Sequence, residues 1–208
     1  EQRVTSETRL SSLFKLSLFA LSLSASTLAM GSTVAIGDGV NARYIDSVMI
    51  GEQAGAFGTN TTSSASNVLI GKNAQIGSGN QKIQQAIAIG AGKLAADSDK
   101  YGGSITEGAW ARGDQAIAIG GNVVAYGNAS IAIGGDDTNG AAATNTKYTN
   151  AKNQEVTGRV DSAFTSLTGG KLNEPSMYQN TKAGEIGVAI GSKSVAGDLS
   201  VALGAVAR

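Results

Sequence analysis

A short apolar phrase that closes on a glycine recurs along the chain and constrains its fold more than any other feature. The clearest copy is Ala116-Ile117-Ala118-Ile119-Gly120, and seven variants bring the total to eight in 208 residues. The closing glycines of successive copies are separated by 14, 20, 19, 30, 14, 57 and 13 residues. A unit of 14 residues, with insertions and one deletion, accounts for these intervals. Such self-similarity is typical of a solenoid, in which each repeat covers the core of the next.

The segment from Gly120 to Gly134 shows the complete unit. Counted from Gly120, small apolar residues stand at positions 3 and 5 (Val123 and Ala125), a glycine stands at position 7, and an Ile-Ala-Ile-Gly run fills positions 11 to 14. Residues two apart on a strand share a face. Each coil is therefore predicted to hold two short parallel strands around a thin apolar core, with glycines at its two turns.

We predict that positions 3 and 5 of one strand and positions 11 and 13 of the next fill this core. The aliphatic residues predicted at positions 11 and 13 are Val34, Ile36, Val48, Ile50, Val68, Ile70, Ile87, Ile89, Ile117, Ile119, Ile131, Ile133, Val188, Ile190, Val201 and Leu203. The glycines predicted at turns are Gly37, Gly51, Gly71, Gly90, Gly120, Gly127, Gly134, Gly191 and Gly204. The alanine at position 12, such as Ala118, is predicted to face outward, where it either lets a neighbouring chain approach closely or merely avoids crowding.

Composition excludes several classes of function. The 16 basic and 16 acidic residues cancel, so net charge favours neither nucleic acid nor an acidic membrane surface as a partner. The chain has no cysteine and no histidine, which excludes disulfides, thiolate or imidazole metal sites and Ser-His catalysis. The run Asp136-Asp137-Thr138-Asn139 lacks the distal acidic ligand of a calcium loop and is interpreted as a solvated turn. We therefore expect no catalytic residues, no metal and no cofactor.

Four segments follow from the distribution of the repeats. Residues 1–30 combine a basic start, a short apolar run and a small-residue exit, which is typical of a secretory signal peptide; a retained N-terminal strand is the alternative. Residues 31–134 hold the densest repeats, residues 135–183 interrupt them, and residues 184–208 resume them. Within the interruption, Val156, Val160, Phe164 and Leu167 recur at helical spacing before two glycines. This stripe predicts a short amphipathic helix packed on the coils, with an irregular loop as the alternative.

The repeats resemble the head of trimeric autotransporter adhesins of the Yersinia-adhesin type. The resemblance is carried by Ser47-Val48-Met49-Ile50-Gly51, Ser130-Ile131-Ala132-Ile133-Gly134 and Ser200-Val201-Ala202-Leu203-Gly204, and it covers residues 32–134 and 184–208. It implies an all-β fold, namely a left-handed parallel β-roll of 14-residue coils, and three chains packed side by side as a homotrimer. It also implies a place on the surface of a Gram-negative outer membrane, reached only through a C-terminal anchor that this sequence does not contain.

Five residues are predicted to face outward as candidates for ligand contact: Arg43, Phe57, Trp110, Arg112 and Tyr126. At position 6, successive coils place Arg43 before Phe57 and Arg112 before Tyr126. Each arginine can therefore stack on the aromatic ring of the next coil. Such residues are enriched in binding hot spots, but stacked side chains are also the usual unit of sheet stabilisation. A stabilising ladder, or a contact buried between chains, is the alternative to a receptor patch.

The functional expectation is a non-catalytic, exported adhesin head that binds host extracellular matrix, a host-cell receptor or other bacteria. The alternatives are a carbohydrate-active enzyme on a parallel β-helix and another structural protein of the cell surface. The sequence opposes the enzyme, because it contains no six-residue period, no histidine and no cluster of carboxylates at coil spacing.

Overall fold

The computed structural model describes residues 33–41, 44–55, 65–77, 82–93, 106–172 and 179–208. Within these residues the protein is mostly β, with two parallel sheets and two helices. The chain passes repeatedly from one sheet to the other, which gives the β-solenoid-like fold that the repeat predicts. The predicted signal segment, residues 1–30, lies outside the described residues.

The two parallel sheets are built from strands of two to four residues. The first sheet has the order β1-β2-β3-β5-β7-β9-β13-β15, with β1 (Val34–Ile36), β2 (Val48–Ile50), β3 (Val68–Ile70), β5 (Ile87–Ile89), β7 (Ile117–Gly120), β9 (Ile131–Gly134), β13 (Val188–Ile190) and β15 (Val201–Leu203). The second has the order β4-β6-β8-β12-β14, with β4 (Gln75–Ile76), β6 (Ala109–Ala111), β8 (Val123–Ala125), β12 (Thr181–Ala183) and β14 (Val195–Ala196).

The register of both sheets follows the repeat. Ile117 pairs with Ile131 and Ala118 with Ala132, so equivalent positions of successive phrases lie side by side. The same correspondence continues across the insertion, because β9 pairs with β13 and β8 pairs with β12. Extra residues between repeats therefore do not shift the register of the sheets.

The first sheet turns the opposite face inward from the one predicted. Ala118 and Ala132 are fully buried, whereas Ile117 and Ile119 are only partly buried. The inward residues of this sheet are Met49, Leu69, Ala88, Ala118, Ala132, Ala189 and Ala202. The prediction of an aliphatic core at positions 11 and 13 was therefore wrong for Val34, Ile36, Val48, Ile50, Val68, Ile70, Ile87, Ile89, Ile117, Ile119, Ile131, Ile133, Val188, Ile190, Val201 and Leu203.

The width of the core explains this inversion. Positions 3 and 5 of the second sheet point inward as predicted, and they too are mostly small, as in Ala109, Ala111 and Ala125. Alanines on both walls let the two sheets approach closely, which leaves no room for two branched side chains per strand. A two-residue period shows which residues share a face but not which face is buried, so the sequence left the choice open and volume decided it.

Two corners join the sheets, and each contains a left-handed residue. The first corner follows the first sheet and has positive φ at Gln53, Asn73, Asn122, Lys193 and Val206. The second corner precedes the first sheet and has positive φ at Asp46, Ser66, Gln85, Gln115, Ala129, Ile186 and Leu199. Glycine is required beside the first corner because Gly51 has a φ of 133°, and a Cβ there would lie 2.6 Å from the Gly71 carbonyl carbon.

The interruption after β9 folds into a small module, which we call the insertion. It contains α1 (Asn139–Ala143), an antiparallel hairpin of β10 (Asn145–Thr149) and β11 (Glu155–Arg159), and α2 (Val160–Thr168). The predicted helix is present as α2 and ends at Gly169, which is left-handed with a φ of 75°. Val156 belongs to β11 instead. The helix packs against α1 and the hairpin rather than on the coils as predicted, and Leu167 of the predicted stripe is 63% exposed.

Candidate interaction surface

The outer side of the first sheet is an uninterrupted aliphatic surface, which we call the aliphatic face. Positions 11 and 13 of all eight strands carry Val, Ile or Leu, and these side chains are partly or largely exposed. Exposure reaches 67% at Val201 and 64% at Leu203. Eight strands about 4.8 Å apart extend this face over roughly 34 Å. Exposed apolar patches of this extent mark sites of association.

Trp110 is buried, contrary to the prediction that it faces solvent. It pairs with Gln75 and Val124 on the outer side of the second sheet, and only 4% of its surface is exposed. Its indole Nε1–H donates a hydrogen bond of 2.7 Å to the Gly77 carbonyl oxygen. A buried indole needs such an acceptor, so Trp110 holds neighbouring coils together and offers little surface to a ligand.

Arg112 lies between two aromatic rings. Its guanidinium carbon is 4.6 Å from the centroid of Trp110 and 4.9 Å from that of Tyr126, while Arg112 and Tyr126 stay partly exposed. The stacking of Arg112 on the next coil is the arrangement that the repeat predicts. The matching pair of Arg43 and Phe57 lies outside the described residues.

A buried lysine fastens the insertion to the coils. Lys193 Nζ donates a hydrogen bond of 2.6 Å to the Leu172 carbonyl oxygen, which also accepts one of 3.2 Å from Thr138 Oγ1. Thr138 lies near the start of the insertion and Leu172 near its end. The Leu172 carbonyl therefore connects both ends of the insertion to Lys193 through hydrogen bonds. At the same corner, Asn122 Nδ2 donates 2.9 Å to Asp136 Oδ2.

Burial shapes the charge state of this lysine. Desolvation, followed by the nearby Arg208 charge, lowers the pKa of Lys193, while Asp136 and Asp137 act in the opposite direction. Burial and Arg208 likewise lower the pKa of Lys182 on β12. This role could not be predicted from the sequence, because Lys193 occupies the turn position that Asn73 and Asn122 hold in other coils.

The insertion presents polar groups to solvent. Lys147, Glu155, Thr157 and Arg159 project from the exposed side of the hairpin, and Lys147 Nζ lies 3.7 Å from Glu155 Oε1. An open groove of about 540 Å³ runs beside α2 and is lined by Asp161, Ser162, Thr165, Ser166, Lys171 and Leu172. Hydroxyl, carboxylate and ammonium groups there suit a polar ligand. The hairpin was missed, although alternation at Thr146 and Tyr148 is a strand signal.

Comparisons of the chain with protein-family models, with curated proteins and with solved structures found no match. Among the described residues, no group of three or more acidic, histidine or cysteine residues is arranged to hold a metal ion. No helix in the described segments has the length and apolar character needed to cross a membrane.

Proposed function

We propose that this chain is the head of a trimeric autotransporter adhesin, a non-catalytic scaffold on the surface of a Gram-negative cell. Its role is attachment to host extracellular matrix, to host cells or to other bacteria. The proposal includes a left-handed roll and three chains side by side. Support comes from the repeated Ser-Val-x-Ile-Gly phrases and from the two parallel sheets that they form.

The observation that carries the proposal is the aliphatic face. Eight strands present two branched side chains each to solvent, at positions where a monomer gains nothing from them. Interfaces of permanent oligomers resemble a domain core cut in half and are rich in such residues. Three copies that turn this face toward a common axis bury it completely, and alanine-lined coils then remain as the cores of the separate chains.

This arrangement assigns binding to the surfaces that point away from the axis. The second sheet lies on the opposite side of each coil from the aliphatic face, so Arg112 and Tyr126 stay accessible in the assembly. The insertion, with its polar hairpin and groove, projects from a corner of the coil and is the second accessible region. One side of each coil therefore holds the three chains together, and the opposite side presents the residues that contact a ligand.

Light scattering of the purified full chain tests the assembly, and binding to immobilised matrix proteins or to host cells tests the activity. We expect three times the mass of one chain and saturable binding. A strict monomer at micromolar concentration would remove the family assignment. Measurable turnover of polysaccharide substrates would favour the enzyme alternative instead.

A further inference from the structure

Two residues of the second corner break its pattern. Along this corner the left-handed position holds Asp46, Ser66, Gln85, Gln115 and Ala129, and then Ile186 and Leu199 in the last two coils. Ile186 is 60% exposed and Leu199 is 79% exposed. A left-handed conformation is a genuine outlier for a β-branched residue such as isoleucine, and exposed apolar side chains give the isolated chain no compensating burial.

The insertion carries an exposed apolar side chain of its own. Leu167, near the end of α2, is 63% exposed. The second corner offers the exposed apolar side chains of Ile186 and Leu199. The two surfaces therefore match in apolar character.

Strand direction brings these surfaces together between copies. Every strand of the first sheet runs from the second corner to the first, and the insertion leaves the chain at the first corner, directly after β9. Consider copies related by rotation about an axis that runs in the direction in which the coils stack, with their aliphatic faces turned toward this axis. The first corner of one copy then adjoins the second corner of the next. Rotation preserves height along the axis.

The level at which the insertion emerges is close to that of Ile186. The insertion joins β9 to β12, and Ile186 stands in the turn between β12 and β13. Because β13 pairs directly with β9, Ile186 lies within about one strand spacing, roughly 5 Å, of the level at which the insertion emerges. Leu199 lies one coil further along.

We infer that each insertion packs against the second corner of the neighbouring copy, with Leu167 against Ile186 and Leu199. This inference rests on the proposed assembly and adds a second contact between chains, outside the aliphatic face. It gives a reason for large apolar residues at a strained, exposed position, since the neighbouring chain covers them. It also fixes the orientation of each insertion, and thus of its groove, relative to the coils of two chains.

Paired cysteines test this contact cleanly, because the chain has none of its own. The variants are Leu167→Cys with Leu199→Cys, and Leu167→Cys with Ile186→Cys, each treated with oxidant or with a short bis-maleimide. We expect covalent species up to the mass of three chains on a denaturing gel. The matched control joins Leu167→Cys with Gln85→Cys, which stands on the same corner three strand spacings from Ile186 and four from Leu199, and it is expected to stay uncross-linked.

The outcomes separate this inference from the proposed function. If light scattering shows the assembly but both pairs give only single chains or cross-links within a chain, the contact is wrong and the adhesin proposal stands. If the unmodified chain is a monomer, both are wrong. Cross-linking of the Gln85 control to the same extent would show non-specific contact and would equally overturn the inference.

Discussion

At the scale of single residues, Lys193 shows how one buried charge can organise a large insertion. Its ammonium group reaches the Leu172 carbonyl, and its backbone N–H donates 2.8 Å to the Gly135 carbonyl oxygen. Both partners flank the insertion, on opposite sides of its two helices. Burying the ammonium group removes it from water, which is unfavourable. This desolvation is the main cause of the lowered pKa of Lys193.

That lowered pKa predicts a pH dependence of stability. At a pH between the lowered pKa of Lys193 in the folded protein and its ordinary pKa of 10.5, the Lys193 side chain is protonated in the unfolded chain and neutral in the folded one. The free energy of unfolding contributed by Lys193 therefore rises with pH across this window and is lost as pH falls below it. Lys193→Met keeps the length of the side chain but cannot titrate.

Denaturant unfolding of both proteins from neutral pH to pH 10.5 measures the effect. We expect the free energy of unfolding of the parent protein to increase with pH relative to that of Lys193→Met. The comparison cancels the contribution of Lys182, whose pKa is lowered in both proteins. Parallel profiles would contradict the assignment of a buried, destabilised ammonium group.

At the scale of elements, a ladder of side chains reinforces the second corner. Asp114, Asn128, Glu185 and Asp198 each accept a hydrogen bond from the backbone N–H of the equivalent position one coil earlier, at 2.6 to 2.8 Å. Each rung satisfies a donor that the turn would otherwise leave to water. Asn128 is the neutral member of this ladder, and it separates the carboxylates of Asp114 and Glu185. The expectation that no carboxylates cluster at coil spacing was therefore wrong for this corner.

Substitutions of Asn128 separate hydrogen bonding from charge. Asn128→Ala removes the acceptor for the Asp114 N–H, and we expect it to lower the free energy of unfolding by about 0.5–1.5 kcal/mol at any ionic strength. Asn128→Asp keeps the acceptor but places four carboxylates in a row, at positions 114, 128, 185 and 198. Each repulsion is worth about 1 kcal/mol in water at this spacing, and salt screens it.

Denaturation in low and in molar salt distinguishes the two variants. Only Asn128→Asp is expected to recover stability in high salt. If Asn128→Ala were as stable as the wild type, water would be an equally good acceptor for the Asp114 N–H, and the hydrogen bond to Asn128 would contribute nothing to stability.

The elements also show how far the sequence reaches. The strands of the first sheet, their parallel register and the end of α2 at Gly169 follow from periodicity and glycine placement. The inward face of the first sheet does not, because alternation is symmetric and only the combined volume of Met49, Leu69 and the alanines decides it. Trp110 was assigned to solvent for the same reason: its burial depends on Gln75 and Val124 in neighbouring coils. Ile186 and Leu199 were visible as apolar exceptions, but only once the corner was known to be left-handed.

At the scale of the whole molecule, the alanine core of one chain is thin, so much of the apolar surface of the protein lies outside it, on the aliphatic face. In the proposed trimer this face would couple folding to association. Anything that binds only the folded state stabilises it by mass action. If three chains assemble, the midpoint of thermal unfolding is expected to rise by about 2–4 °C for each tenfold increase in protein concentration.

Charges placed on the aliphatic face test this coupling. Ile119→Asp and Ile133→Asp lie side by side on β7 and β9, and in an isolated chain both positions are partly solvated, so each change alone costs little. In an assembly the same carboxylates are buried without partners, which is strongly unfavourable. We expect either variant to abolish the concentration dependence and to yield monomers by light scattering. Thr157→Asp places the same charge on the exposed side of the hairpin and should leave the dependence intact. A midpoint that is independent of concentration in the parent protein would mean that the face is not an interface.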